Sequence, residues 1–295
     1  MVCTLLGTGT SHGIPVIGCG CPVCASGDPR DTRFRTGAYI QAEGGADGPV
    51  SVLIDAGPEF RLQALANRIS RVDAVLITHS HADHVHGIDD LRIFSYSHHT
   101  RRGDRKILPL YMTAPTARDI RERFAYAFTP AIEGGGKPKI RLIPCEGFTP
   151  ESPLVIGGLS IVYIPIMHGR LRVAGWLLSE TTGGVKHSLA YLTDCSAIPP
   201  ESIGLIRRAA GVLDHAVLDG LRERPHSTHF SFDQAFEAAQ KIGARRTWIT
   251  HICHLHSHGE ITAYFDRLTA CALQRGEGPL SAVLPGWDGQ RLKTG

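Results

Sequence analysis

The side chains best suited to chemistry crowd into THSHADHVHG at 78–87, where His79, His81, Asp83 and His84 fall within six positions. Imidazole and carboxylate together are the donor set of zinc, manganese or iron rather than calcium. The apolar run DAVLIT precedes them and predicts a buried strand that ends where the cluster begins. Such groups cannot all leave water unless something charged offsets them. A second set lies near the start of the chain. Cys19, Cys21 and Cys24 form C-x-C-x-x-C, a spacing that can wrap one tetrahedral zinc if a fourth ligand comes from elsewhere. The best source of that ligand is THICHLHSH at 250–258.

Single candidates stand at the ends of other apolar runs: Asp55 after VSVLI, His168 after IVYIPIM, Asp194 after SLAYLT and His251 after RTWIT. Asp55 reads either as a turn former or as an acceptor that orients a histidine ligand. Loops at strand ends are where scaffolds of this kind place their sites. Cys195 puts a thiol directly after Asp194. PHSTHFSF supplies His226 and His229 just ahead of a strongly amphipathic helix. The basic segment HHTRRGDRK at 98–106 reads as a solvated loop, with a rim for an anionic substrate as the functional alternative.

The elements that must position these residues follow from periodicity and turn signals. A short strand opens the chain and runs into a turn rich in glycine (Gly7, Gly9, Gly13), which no Walker lysine follows. Two strands flank a glycine-rich hairpin between 35 and 55, and a helix is expected over about 59–70. Another helix follows the histidine cluster. LPLYMT is a strand, and the next helix has Pro115 in its first turn. Further on come a hairpin ending at His168, two strands, a helix, a strand, the amphipathic helix, the strand before His251, a last helix and a closing hairpin, VLPGWDGQRLK. Apolar strands that end in ligands occur in both halves, which predicts two similar βα halves folded face to face.

The bulk numbers narrow the partners. A chain of 295 residues, 42% of them hydrophobic, can bury a sizeable core. A net charge of +3, from 31 basic and 28 acidic residues, is too mild for a general nucleic-acid binder. No leader pattern opens the sequence, and no apolar run approaches the ~18 residues that span a bilayer. A cytoplasmic protein with no membrane partner is expected. Eight cysteines there point to metal ligands or buried thiols rather than disulfides.

H-x-H-x-D-H after a strand closely resembles the signature of the metallo-β-lactamase-like hydrolases. With Asp55 before it and His168, Asp194 and His251 after it, the resemblance covers nearly the whole chain. It implies an α/β (α+β) fold, a four-layer αββα sandwich, formed by a single domain over 1–295. It also implies a ligand set. His79, His81 and His168 would hold one metal, Asp83, His84 and His251 a second, and Asp194 would bridge them. The two ions would be manganese or zinc, so Asp83 and Asp194 also count as catalytic.

The start of the chain, GTGTSHGIPVIGCGCPVC, resembles that of PhnP-like phosphodiesterases. In them three cysteines and a histidine three residues after the last active-site ligand hold a structural zinc. Here that implies Cys19, Cys21, Cys24 and His254, in a zinc-binding loop at 18–25. His229 lies in a context like that of a PhnP-like histidine and is the candidate proton donor, preferred over His226. His256 and His258 read as solvent-facing surplus. The expected activity is hydrolysis of a small cyclic phosphodiester, a ribose cyclic phosphate or a cyclic nucleotide, by a homodimer. Two alternatives remain. An RNase Z-like nuclease would need a long RNA-gripping arm that the sequence does not show. A PqqB-like, non-hydrolytic protein of cofactor biosynthesis would lack the full histidine motif. Cys195 and the loops at 98–106 and Gly134 are departures that would reshape the pocket.

Overall fold

The computed structural model describes residues 1–44, 48–95, 107–129 and 136–295. The basic segment 98–106 and Gly134 lie outside the described residues.

Strands β1 (Val2–Gly7), β2 (Gly37–Ala42), β3 (Val50–Ile54), β4 (Ala74–Leu76), β5 (Leu108–Met112) and β6 (Ile140–Pro144) build most of one sheet. A second sheet takes β7 (Leu154–Ile156), β8 (Leu159–His168), β9 (Leu171–Thr182), β10 (Val185–Leu192), β11 (Val212–Asp219), β12 (Arg246–Thr250) and β13 (Ala282–Pro285). The last strand, β14 (Arg291–Lys293), returns to the first sheet. The orders are β14-β1-β2-β3-β4-β5-β6 and β13-β12-β11-β10-β9-β8-β7. In each sheet four neighbouring strands run parallel, β3 to β6 and β10 to β13. Their carboxyl ends therefore point the same way within each sheet.

The helices are α1 (Phe60–Ala66), α2 (Ala82–Val85), α3 (Arg92–Ser95), α4 (Ala114–Arg123), α5 (Ala125–Phe128), α6 (Pro200–Ala209), α7 (Phe232–Ile242) and α8 (His258–Gln274). Side chains alternate across a strand, so a sheet buried on both faces feeds two cores. On β3, Val52 and Ile54 enter the core between the sheets, while Leu53 joins Phe60, Val85 and Ile120 outside the first sheet. On β8, Ile161 and Tyr163 face the middle, while Val162, Ile164 and Ile166 pack with Ile206, Phe232 and Phe265. Three cores separate four layers, helix–sheet–sheet–helix, which is the expected αββα sandwich.

Local signals set the helix ends. Ser231 and Gln234 form a reciprocal cap on α7, and Gly243 ends it in the left-handed conformation. Ser257 and Glu260 cap α8 the same way. Helix α1 is shorter than its sequence pattern suggested. The expected closing hairpin is a correction. Its two strands belong to different sheets: β13 pairs with β12, and β14 pairs with β1. The turn between them crosses the sandwich, with Gly286 N–H donating to Ile249 O and Gly289 N–H to Leu5 O. Each short strand thereby covers an edge that would otherwise stay open.

Trp176 is fully buried at the centre of the inter-sheet core. Trp176→Ala is expected to lose about 3–5 kcal/mol of stability by denaturant unfolding; a loss under about 1 kcal/mol would show that the two sheets do not depend on this packing.

Candidate metal centre

Three strands leave their sheets through a left-handed residue: Asp55 (φ 60°) after β3, Asp194 (φ 55°) after β10 and His251 (φ 58°) after β12. Such backbone costs on the order of 1–3 kcal/mol per residue and persists where the surroundings over-determine it. Each turn swings a ligand-type side chain across the end of the sandwich. His79 follows β4 directly, His81 sits at the start of α2, and Asp83 and His84 lie in its first turns. His168 ends β8.

Apart from Asp55, these residues, placed by five elements, meet in two groups. His79, His81, His168 and Asp194 bring their donor atoms within 4.8 Å of one another, as do Asp83, His84, Asp194 and His251. Asp194 belongs to both. Its carboxylate lies 3.7 Å from His79 Nε2, 3.2 Å from His84 Nε2 and 3.3 Å from His251 Nε2. Asp83 lies 3.4 Å from His84 Nε2 and 3.7 Å from His251 Nε2. Ligands held at zinc-like distances around one tetrahedral ion sit roughly 3.4 Å apart. The Nε2 atoms of His79, His84 and His251 are buried and have no hydrogen-bond partner among the described residues. A buried polar atom left so is costly, and a cation in each group would satisfy it. The donor set thus fits two divalent ions.

Charge agrees with that fit. Burial alone would keep His84 neutral, but Asp194, Asp55 and Asp83 outweigh it and hold its pKa well above that of a free imidazole. On the other side of the site burial prevails, and His168 is pushed down to about 4. A neutral imidazole is the form that binds a metal.

The donors are held by a surrounding layer. Asp55 Oδ2 accepts from His84 Nδ1 at 2.7 Å, and both Asp55 oxygens accept from Thr78. His168 Nδ1 lies 2.8 Å from Thr228 O. Ser80, between two of the histidines, donates to Asp119 Oδ2 at 2.5 Å, and its carbonyl accepts from Arg123. Asp119 and Arg123 are four residues apart on α4 and so share one helical face. Behind the cluster, Gly57 lies so close that a Cβ there would stand 2.2 Å from Asp83 O.

His229 sits between the two groups. Its ring centroid is 4.7 Å from that of His168 and stacks on His251 at 4.4 Å. Its Nδ1 lies 2.7 Å from Asp219 Oδ2, which also accepts from Cys195 N–H. Sequence reading missed Asp219, although VLDHAVLDG carries the same signal as the other sites, an aspartate closing an apolar strand. His226 is exposed, and its Nδ1 is taken by Thr228. Cys195 is buried, and its thiol turns to Leu192 O rather than to the donor groups.

The thiols converge as well. Sγ of Cys19, Cys21 and Cys24 lie 3.4, 3.5 and 3.5 Å from His254 Nδ1. Sulfur and nitrogen around one tetrahedral zinc sit roughly 3.6 Å apart. Backbone N–H groups of Val16 and Cys24 donate to two of the sulfurs, as thiolates require, and Cys21 is pushed down to about 6, chiefly by the Cys24 N–H. His258 corrects the sequence reading. It is buried, 5% exposed, because its ring packs on Trp287 and its N–H donates to Asp31. His256 is half-buried near Glu223.

Comparison with known proteins agrees with this geometry. Residues 51–252 match the family described as Beta-lactamase superfamily domain. The chain is 35% identical over 255 residues to an octanoyltransferase of Porphyromonas gingivalis, covering 86% of this chain but 46% of that protein. It thus spans about half that relative's length. A coenzyme PQQ synthesis protein B of Methylobacterium radiotolerans is 29% identical over 243 residues, 73% of this chain and 71% of that one. The crystal structure of a diphosphatase from the PhnP family superposes with a TM-score of 0.77 at 33% identity, covering 99% of this chain and 96% of that chain.

Asp55→Ala frees His84 to turn and is expected to weaken metal binding about 10- to 100-fold, read by metal titration against a chelator. Unchanged affinity would show that Asp55 only shapes the turn.

Proposed function

The chain belongs to the β-lactamase superfamily as a metal-dependent hydrolase, and from that premise we propose that it is a phosphodiesterase opening a small cyclic phosphodiester, a ribose cyclic phosphate or a cyclic nucleotide. The observation that carries the reading is Asp194, shared by two donor groups with His229 lying between them. On this reading His79, His81 and His168 would hold one ion and Asp83, His84 and His251 the other, with Asp194 shared between the two groups. Two divalent ions bound there, manganese or zinc, would supply an activated water and offset charge on the phosphoryl oxygens.

The protein's own residues do the rest. Asp219 holds His229 through Nδ1 and leaves Nε2 free to give a proton to the leaving oxygen. Asp55, Thr228 and the Asp119–Ser80–Arg123 contacts fix the imidazoles before substrate arrives. Cys19, Cys21, Cys24 and His254 would hold a structural zinc, fastening the loop at 18–25 to the turn carrying His251, within one domain over 1–295. The homodimer and the cytoplasmic location belong to the same reading. Among the described residues no helix is long and apolar enough to cross a membrane.

One second reading has support of its own. The PhnP-family structure at 33% identity is that of a diphosphatase, and a diphosphate asks for the same displacement at phosphorus. A PqqB-like role is separated by metal content, since it needs no paired ions.

With manganese or zinc, the protein is expected to hydrolyse bis(p-nitrophenyl) phosphate or a 2′,3′-cyclic nucleotide. No turnover of either, with both ions confirmed bound, contradicts the reading. His229→Ala should slow the reaction about 10²–10⁴-fold with metal content unchanged; lost metal would instead make His229 a ligand. Cys21→Ser is expected to remove one zinc per chain and lower the melting temperature, with mass spectrometry counting the metal.

A further inference from the structure

Beside the metal centre three buried polar atoms have no hydrogen-bond partner among the described residues: Asp219 Oδ1, Thr250 Oγ1 and His251 Nδ1. The strands bring them together. β11 and β12 run parallel with Asp219 opposite Thr250. Neighbouring strands lie ~4.8 Å apart and opposed side chains share a face, so the carboxylate and the hydroxyl emerge side by side. His251 follows Thr250 directly, through its left-handed backbone. The donor atoms of Asp219, His229 and His251 lie within 4.8 Å of one another. Asp219 and Thr250 are 0% exposed and His251 is 1% exposed, so bulk water reaches none of them.

Each orphan is the unused half of a residue whose other half is engaged. Asp219 Oδ2 lies 2.7 Å from His229 Nδ1 and accepts from Cys195 N–H. Thr250 O accepts from Gly220 N–H. His251 Nε2 faces Asp194 at 3.3 Å and Asp83 at 3.7 Å, the side on which an ion would lie. A histidine that binds metal through one nitrogen gives the other N–H to a carboxylate, a carbonyl or a water. His84 has Asp55 for this and His168 has Thr228 O. His251 has no such protein partner among the described residues. A buried water makes about three hydrogen bonds to groups of this kind. Partners each ~2.8 Å from one water stand roughly 4.6 Å apart, which matches the spacing here. A further cation is the poorer occupant, because a histidine ligating through Nε2 keeps its proton on Nδ1 and offers a donor there.

We propose that a buried water joins Asp219 Oδ1, Thr250 Oγ1 and His251 Nδ1, making Asp219 and Thr250 positioning residues for the ligand His251. One carboxylate then holds proton donor and ligand together, His229 through Oδ2 and His251 through the water on Oδ1. The inference rests on the ion proposed at Asp83, His84 and His251, and not on the identity of the substrate.

Thr250→Val tests it, since valine keeps the shape and removes only the hydroxyl. A hydroxyl bonded to water makes the substitution lower the melting temperature by about 2–4 °C. A hydroxyl bonded to nothing makes valine neutral or stabilising, and that result overturns the proposal. In a chelator titration the ion at Asp83, His84 and His251 should be held about tenfold more weakly. Anomalous diffraction at limiting zinc identifies which ion is lost, and Thr250→Ser should restore the affinity. Loosening of neither ion, or of both alike, overturns the positioning role. In crystals of the zinc-loaded protein, density about 2.8 Å from all three atoms and without anomalous signal is expected; no density, or an anomalous peak there, overturns the water. Failure to hydrolyse any diester would remove the phosphodiesterase reading and leave each of these results standing.

Discussion

Asp194 is withdrawn from water with three imidazole nitrogens turned toward it, and among the described residues no lysine or arginine pairs with it. Asp55, Asp83 and Asp219 lie buried close by. So much carboxylate in so little solvent needs positive charge beside it; it draws protons onto His84 and His251, and bound cations would serve in their place. The rest of the architecture follows from holding that arrangement together. Two sheets bring their carboxyl ends to one edge, three residues adopt left-handed backbone to aim side chains across it, and hydrogen bonds hold His84, His168 and His229 by one ring nitrogen each. Energy released on metal binding would offset the cost of those strained turns and unsatisfied nitrogens.

The site is therefore stiff around its candidate metal ligands. Asp55 on His84, Thr228 on His168 and Asp219 on His229 each constrain one ring nitrogen, leaving the other for chemistry. The thiol cluster adds a tether between chain segments more than two hundred residues apart. Arg33 reinforces it from within. Fully buried, it donates to Cys253 O, His256 O and Asp31, and Asp31 in turn accepts from His258 N–H. The turn that carries His251 and His254 is thus gripped even apart from any zinc.

Much of this was legible in the sequence because it is written locally. His79, His81, Asp83 and His84 share one loop, and Cys19, Cys21 and Cys24 share another, so spacing alone exposed them. The strands were legible as unbroken apolar runs, while the four layers came from the family resemblance. Other features were hidden because they depend on contacts between distant segments. Asp219 looked like any strand end until His229 folded onto it. The sequence gives no sign that Asp119 and Arg123, on the helix with Pro115 in its first turn, reach Ser80. His258 read as exposed because Trp287, which covers it, comes from the tail. That tail read as a hairpin because its two strands are close in sequence, while edge pairing in separate sheets is decided by the sandwich as a whole.

The central claim is that two cations share Asp194. Anomalous diffraction from crystals of the zinc-loaded protein tests it most directly. The account requires two peaks about 3.5–4 Å apart astride that carboxylate, with a third among the cysteines and His254. A single peak at Asp194, or ions bound only at the thiols, would contradict it.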